Sequence, residues 1–303
     1  MPPIPGLKIG TLNISWEANN YDFVAGRPTG VPSNAGRSFN RARVAWRAAG
    51  NRVEPGKFGP AYERSVAALK AADLDVILLQ EFQVYEVQPG SSTLDVLTDR
   101  HQLDGFVVCA ADIYSGGAVP AFASVVLVKT LRIVGMPIDV SAAFSKRKVS
   151  AFDEGRRIAI ADVRLRKGAV SGSYRIVSSH SAHGITWDAP RIRRYLDRFK
   201  EIKPTLSSRT PSSLIWGGDF NSEVSIGSDM KWGGNYLRKI SRAAMGETTE
   251  YRRKVDWIIA SSASGSNPTA STVKPVASDH RLVSLTTRAR LTDWTDAASH
   301  RLE

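Results

Sequence analysis

The sequence predicts a mixed α+β (α/β) domain, and three observations predict it. Short runs of aliphatic and β-branched residues recur along the chain, each bounded by Gly, Pro, Ser or Asp, which is strand character. Between some of these runs lie apolar stripes at helical spacing. No Gly/Ser/Pro linker divides the chain and no fixed-period repeat runs through it, so residues 1–303 read as a single domain.

In order, the expected strands are "LKIGTLNIS" (7–15), "DVILLQE" (75–81), "GFVVCAA" (105–111), "ASVVLVK" (123–129), "RRIAIADVRL" (156–165), "YRIVSSHS" (174–181), "SLIWGGDF" (213–220), "VDWIIAS" (255–261) and "RLVSLTT" (281–287). Over 61–72, Tyr62, Val66 and Leu69 repeat as one face of a helix. Over 189–203, Ile192, Tyr195, Leu196 and Phe199 form a stripe beside several arginines, with Pro190 near the start and Pro204 at the end. The segment at about 18–60 reads as a long basic insertion, rich in Gly, Pro and Asn, and 262–276 reads as a Ser/Thr/Pro loop.

Composition narrows the function. The net charge is +12, a balance that favours polyanionic partners. The single cysteine, Cys109, excludes an intrachain disulfide and argues against a thiolate zinc site. The N-terminal stretch has no signal-peptide pattern and no apolar run is long enough to span a bilayer, so the expectation is a soluble, cytoplasmic protein.

Polar groups cluster at the ends of these strands: Asn13, Glu81, His180, Asp219 with Asn221, Asp256, and Asp279 with His280. Each alone reads as a turn or cap residue. Together, each beside a buried-type strand, they read as a site where strand ends converge. Oxygen donors without thiolates suit a hard cation such as Mg2+, and Glu81 is the best single ligand candidate. Histidines move protons near neutral pH, and an Asp beside a His sets its tautomer. In "LIWGGDFNS", alternation along a strand is expected to put Asp219 and Asn221 on one side, with Gly217 and Gly218 clearing space for a phosphate.

The motifs "TLNIS", "DVILLQE", "SSHSAHG", "GGDFNS", "VDWIIAS" and "ASDHRLV", taken in order, resemble those of the endonuclease/exonuclease/phosphatase superfamily. Within it, the likeness is to deoxyribonuclease-I-type nucleases and the catalytic subunit of cytolethal distending toxins. The resemblance implies a four-layer αββα sandwich of two packed mixed β-sheets flanked by helices. It implies Mg2+-dependent phosphodiester cleavage, with Mn2+ able to replace Mg2+. By the same resemblance Glu81 is the principal metal ligand, with Asn13 and Asp279 nearby. His180 and His280 flank the scissile phosphate, either one as base, and Asp256 pairs with His280. Asp219 and Asn221 orient the attacking water and stabilise the transition state. Arg156 falls where these nucleases place a phosphate-contacting arginine, and a register slip of one would put Arg157 there instead.

One position departs from the pattern. The glutamate that pairs with the first histidine in these nucleases would fall near Ala110, where this chain has none. Asp112 and His183 are the neighbouring alternatives, and His183 reads as a surface-loop histidine.

The superfamily acts on several phosphoesters, so substrate has to be read from the loops. Arginines between 37 and 47 interleave with Phe39 and Trp46, and basic runs recur at 145–148, 191–194 and 251–254. These favour nucleic acid as partner, DNA first and RNA second. A phosphoinositide or other small-molecule phosphatase is the alternative, and a non-catalytic nucleic-acid-binding module on the same fold ranks third.

Overall fold

The computed structural model describes residues 3–14, 60–84, 86–88, 91–100, 102–114, 121–145, 157–182, 184–203, 211–239, 254–262, 269–273 and 280–287. The basic segment at 18–60 lies outside them except for Pro60, as do Arg156, His183 and Asp279.

Branched and aliphatic residues fill the short runs that form the strands. In order they are β1 (Lys8–Asn13), β2 (Val76–Val84), β3 (Glu86–Gln88), β4 (Ser91–Ser92), β5 (Phe106–Tyr114), β6 (Ala121–Lys129), β7 (Ile138–Asp139) and β8 (Ile158–Lys167). There follow β9 (Val170–His180), β10 (Ser213–Asp219), β11 (Lys231–Trp232), β12 (Asn235–Lys239), β13 (Asp256–Ser262), β14 (Thr269–Val273) and β15 (Leu282–Thr286). The first sheet runs β14-β15-β1-β2-β6-β5 and the second β11-β12-β13-β10-β9-β8-β7, while β3 and β4 form a small ribbon. Both large sheets are mixed: β1 is parallel to β2 and antiparallel to β15, and β10 is parallel to β9 and antiparallel to β13.

Alternation along the strands builds the layers. On β2, Val76 and Leu78 join the core that reaches into the second sheet, whereas Ile77 and Leu79 join a second core on the outer face. Helix α1 (Pro60–Ala71) covers that outer face with Val66 and Leu69. A short helix, α2 (Ser141–Ser145), packs Phe144 beside helix α3 (Ala189–Glu201). Helix α3 begins where Asp188 accepts a hydrogen bond from the Arg191 amide at 2.9 Å, and its buried stripe is Ile192, Tyr195, Leu196 and Phe199. That stripe lies on the outer face of the second sheet, with the Tyr195 ring stacked 5.7 Å from Trp216. Each such buried side chain stabilises the fold by roughly 1.5–3 kcal/mol. The sequence of layers is helix, sheet, sheet, helix, the αββα sandwich expected.

Two differences from expectation have a clear physical cause. Helix α3 stops at Glu201 rather than 203. There the buried Arg175 guanidinium, paired with Asp162 at 2.6 Å, donates to the carbonyls of Phe199 and Ile202 and so caps the last turn. The stretch 262–276, expected as a loop, contains β14, which pairs antiparallel with β15 at the sheet edge. Its Ser and Thr content hid a strand that only one neighbour pairs. Among the described residues, no helix is long and apolar enough to cross a membrane.

Candidate active site

The centre of the site follows from the register of β10. This strand is buried throughout and sits between β9 and β13. Its last residue, Asp219, pairs with His180 on one side and Asp256 on the other. Three titratable side chains therefore stand in one row across the second sheet. The two glycines before Asp219 have separate tasks. A Cβ on Gly217 would meet Leu78 of the first sheet at 2.7 Å, so glycine here lets the sheets close under the site. Gly218 has φ +155°, and a Cβ there would lie 1.8 Å from the Ser179 carbonyl oxygen. The glycines thus accommodate a facing side chain and the β9 backbone, rather than clearing space for a phosphate.

The first sheet contributes through Asn13 and Glu81. Asn13 ends β1, and its Nδ2 donates to Asp219 Oδ2 at 3.0 Å. Glu81 does not close β2, which continues to Val84, but falls in a β-bulge between Leu79 and Phe82. Leu79 and Phe82 both face the outer core although three positions separate them. The extra residue turns Gln80 and Glu81 both toward the second sheet, with Glu81 at φ +53°. A left-handed conformation in a non-glycine residue costs about 1–3 kcal/mol, so the surroundings must hold it. They do so through a buried relay. Thr11 Oγ1 donates to Gln80 Oε1, Gln80 Nε2 donates to Ser178 Oγ at 3.0 Å, and Ser178 Oγ donates to the Leu79 carbonyl at 2.8 Å.

The two histidines are held differently. His280 Nδ1 lies 2.9 and 3.1 Å from the two oxygens of the fully buried Asp256, and its Nε2 lies 3.7 Å from Asp219 Oδ2. An ionised carboxylate only accepts, so Nδ1 donates to Asp256. His180 Nε2 points at Glu81 Oε1 (3.4 Å) and Asp219 Oδ2 (3.7 Å). Its Nδ1 lies 3.3 Å from the Tyr114 hydroxyl and 3.5 Å from an Arg157 nitrogen. Burial holds the His180 pKa below its ordinary value; Arg157 and His280 push the same way, against Glu81 and Asp219. Asp219 Oδ2 is thus approached by Asn13, His180 and His280 together.

No family model matches the chain, and neither does any curated relative. Its structure aligns with ANGEL2, a 2',3'-cyclic phosphatase in complex with adenosine-2',3'-vanadate, at TM-score 0.50 and 11% identity, over 93% of this chain and 96% of that one. The chain has the endonuclease/exonuclease/phosphatase fold. The human Nocturnin catalytic domain with bound sulfate aligns at TM-score 0.49 and 15% identity over 94% and 95% of the two chains. An endonuclease/exonuclease/phosphatase family protein from Leptotrichia buccalis aligns at 0.46 and 12% over 93% and 100%. At these identities the likeness is one of fold alone.

Within the endonuclease/exonuclease/phosphatase fold of this chain, six of the nine residues expected at the site meet directly: Asn13, Glu81, His180, Asp219, Asp256 and His280. Asn221 follows β10 with φ +51°, so it does not continue the strand alternation that was expected to aim it. Its amide donates to Asp219 Oδ1 at 2.8 Å and its Nδ2 donates to the Ser181 carbonyl at 2.6 Å, which holds the loop against the site. Arg156 and Asp279 lie outside the described residues; Arg157, the register alternative, is at the site.

Sequence reasoning missed Tyr114. A second bulge, between Val108 and Ala110 of β5, turns Cys109 and Ala110 both inward and shifts every later residue by one face. Asp112 and Tyr114 then face the second sheet, where Asp112 accepts from the Ile158 amide at 2.9 Å and Tyr114 meets His180. Counting twos from the start of the strand puts them on the other side.

The donor set fits a hard divalent cation. Asp219, Asp256 and His280 each offer an atom within 4.8 Å of one another. Asp256 is committed to His280 Nδ1 through both oxygens, so these three form an orienting pair beside a carboxylate rather than a cage. Glu81, part-exposed at the front, and Asn13 add oxygen donors of the kind Mg2+ takes. A thiolate is excluded, because burial pushes the Cys109 thiol up to about 12.

Proposed function

We propose that this chain is a divalent-metal-dependent phosphodiesterase, a nuclease that hydrolyses DNA or RNA. One observation carries the reading: the convergence of Asn13, His180 and His280 on a single oxygen of Asp219, with Asp256 behind His280. The roles are those of a hydrolytic site. Asp219 orients a water molecule between itself and His280, and His280 Nε2 takes that water's proton. Asp256 stabilises the imidazolium that results. Asn13 holds Asp219 in place, and Arg157 provides fixed positive charge for a phosphoryl oxygen. Glu81 and Asn13, with Asp279, would hold Mg2+, which when bound neutralises charge on the phosphate and leaving group. The net charge of +12 supports a polyanionic substrate. ANGEL2, with the same fold, is described with a nucleoside vanadate.

The test is a substrate panel run with Mg2+ and with chelator: supercoiled plasmid, single-stranded DNA, RNA, abasic duplex and phosphoinositides. Metal-dependent cleavage of at least one nucleic acid is expected. Hydrolysis of phosphoinositides alone would make the chain a lipid phosphatase, and turnover of nothing would leave it a binding module.

A further inference from the structure

Resting on the reading of Glu81 as a metal ligand, we infer that Gln80 is a positioning residue for it. With Thr11 and Ser178, Gln80 forms a strut between the two sheets that holds the Glu81 carboxylate in place for a divalent cation.

The strut lies directly beneath the site. Ser178 and Gly217 pair across β9 and β10, two residues before His180 and Asp219 and so on the same face of the second sheet. Gly217 has no side chain there, and Leu78 of the first sheet takes up the space. The sheets are close enough at this point for one amide to span them, and Gln80 Nε2 lies 3.0 Å from Ser178 Oγ. Thr11, Gln80 and Ser178 are all fully buried, so their polar groups depend on one another.

The hydrogen bonds run in one direction. Ser178 gives its single hydroxyl proton to the Leu79 carbonyl at 2.8 Å, so toward Gln80 it can only accept. That sets the amide nitrogen of Gln80 against Ser178 and leaves the amide oxygen for the Thr11 hydroxyl at 3.2 Å. An amide serves here because it carries a donor and an acceptor on one rigid plane. The carbonyl that ends the chain belongs to Leu79, where the pairing of β2 with β6 shifts. Pairing resumes at Phe82, so the backbone between them leaves the ladder, with Glu81 at φ +53°. The bulge is therefore closed on itself through a serine of the opposite sheet. Gln80 and Glu81, adjacent in sequence, both reach β9: the amide meets Ser178, and Glu81 Oε1 lies 3.4 Å from His180 Nε2. Any slackening of the first contact moves the carboxylate that makes the second.

The experiment reads metal affinity directly. Mn2+ binding to the chelator-treated full chain is followed by loss of the free-ion EPR signal, and Glu81→Gln identifies the binding that belongs to this site. Gln80→Met and Ser178→Ala are each expected to weaken that binding about 10–100-fold. Thr11→Val should weaken it in the same direction, whereas Thr11→Ser, which keeps the hydroxyl, should retain wild-type affinity. Where Gln80→Met does not fold, the Thr11 pair decides. Val66→Ala, in the outer core, is the control: it should lower the melting temperature without moving Mn2+ affinity. In kinetics, the Mg2+ concentration for half-maximal rate should rise in Ser178→Ala, and kcat should recover at saturating Mg2+. Wild-type Mn2+ affinity in both Gln80→Met and Ser178→Ala overturns the inference, as does a wild type with no Glu81-dependent binding. An equal loss in Val66→Ala overturns it as well, because the effect would then follow stability alone. If the affinities shift as stated but no phosphoester is hydrolysed, the proposed function fails and this assignment stands. If hydrolysis occurs and the strut variants keep the wild-type metal dependence, this assignment alone fails.

Discussion

The carboxamide of Asn13, on one sheet, donates to the carboxylate of Asp219, on the other, across 3.0 Å. Both residues are the last of their strands and both are buried, so the bond joins the two sheets at the edge where the histidines meet. Asn13→Ala removes that donor and leaves Asp219 less constrained. Loss of a partner that orients a functional carboxylate lowers activity by about 10–100-fold. Steady-state kinetics beside a thermal melt check this: activity is expected to fall far more than stability.

Asp256 and His280 are expected to act as one unit. Asp256→Asn turns an acceptor into a donor beside Nδ1 and disfavours the active tautomer. The expected loss in kcat is about 10²–10⁴, close to that of His280→Ala. The double variant should lose little more than either single one, and a product of the two losses would argue against the pairing.

Metal binding is expected to show in stability as well as rate. A cation that binds only the folded chain stabilises it by about 2.7 kcal/mol at a hundred times its dissociation constant. Melting temperature should therefore rise with Mg2+ in the wild type. It should rise much less in Glu81→Gln, which keeps the size of the side chain and removes its charge.

Gly218→Ala places a Cβ against the Ser179 carbonyl in a conformation that only glycine readily adopts. The strain of such a backbone position, about 1–3 kcal/mol, adds to the clash. Denaturant midpoints should fall more than for Gly184→Ala, where no atom lies within 4 Å of the added carbon.

At the opposite end of the sandwich, Asp75 is buried beside Lys167 (2.8 Å) and Arg132 (2.6 Å) and accepts from the Lys8 amide. Burial raises its pKa, but these partners together outweigh that and lower it. A carboxyl held below its unfolded value of about 3.9 contributes stability above that pH and loses it as pH falls through the folded value. Removing one partner of a buried pair costs about 3–5 kcal/mol. Asp75→Asn should therefore unfold at lower urea than wild type at pH 7, and the gap should narrow below pH 4.

The fold was largely legible in the sequence, because the buried strands are apolar runs such as "SLIWGGDF" whose pattern follows directly from burial. Strand β14 was not, since an edge strand of Ser and Thr carries no apolar signature. The site residues were legible as types at strand ends, but their aim was not. Glu81 and Tyr114 owe their direction to bulges, which alternation cannot foresee. Asn221 owes its position to a left-handed turn closed by Asp219, and the glycines of "GGD" answer to Leu78 and Ser179, partners remote in sequence.

The two bulges set the polar lining and the greasy stripe of the same strands out of phase. After each offset the positions that face the second sheet carry polar groups, while Phe82 returns to the outer core. Substitutions at 81 and 114 can therefore exchange one polar group at the site for another while the apolar stripe is untouched. Deleting one residue at either offset would instead swap the faces of everything beyond it. For a designer, this scaffold forgives changes of identity at its working edge and punishes changes of length.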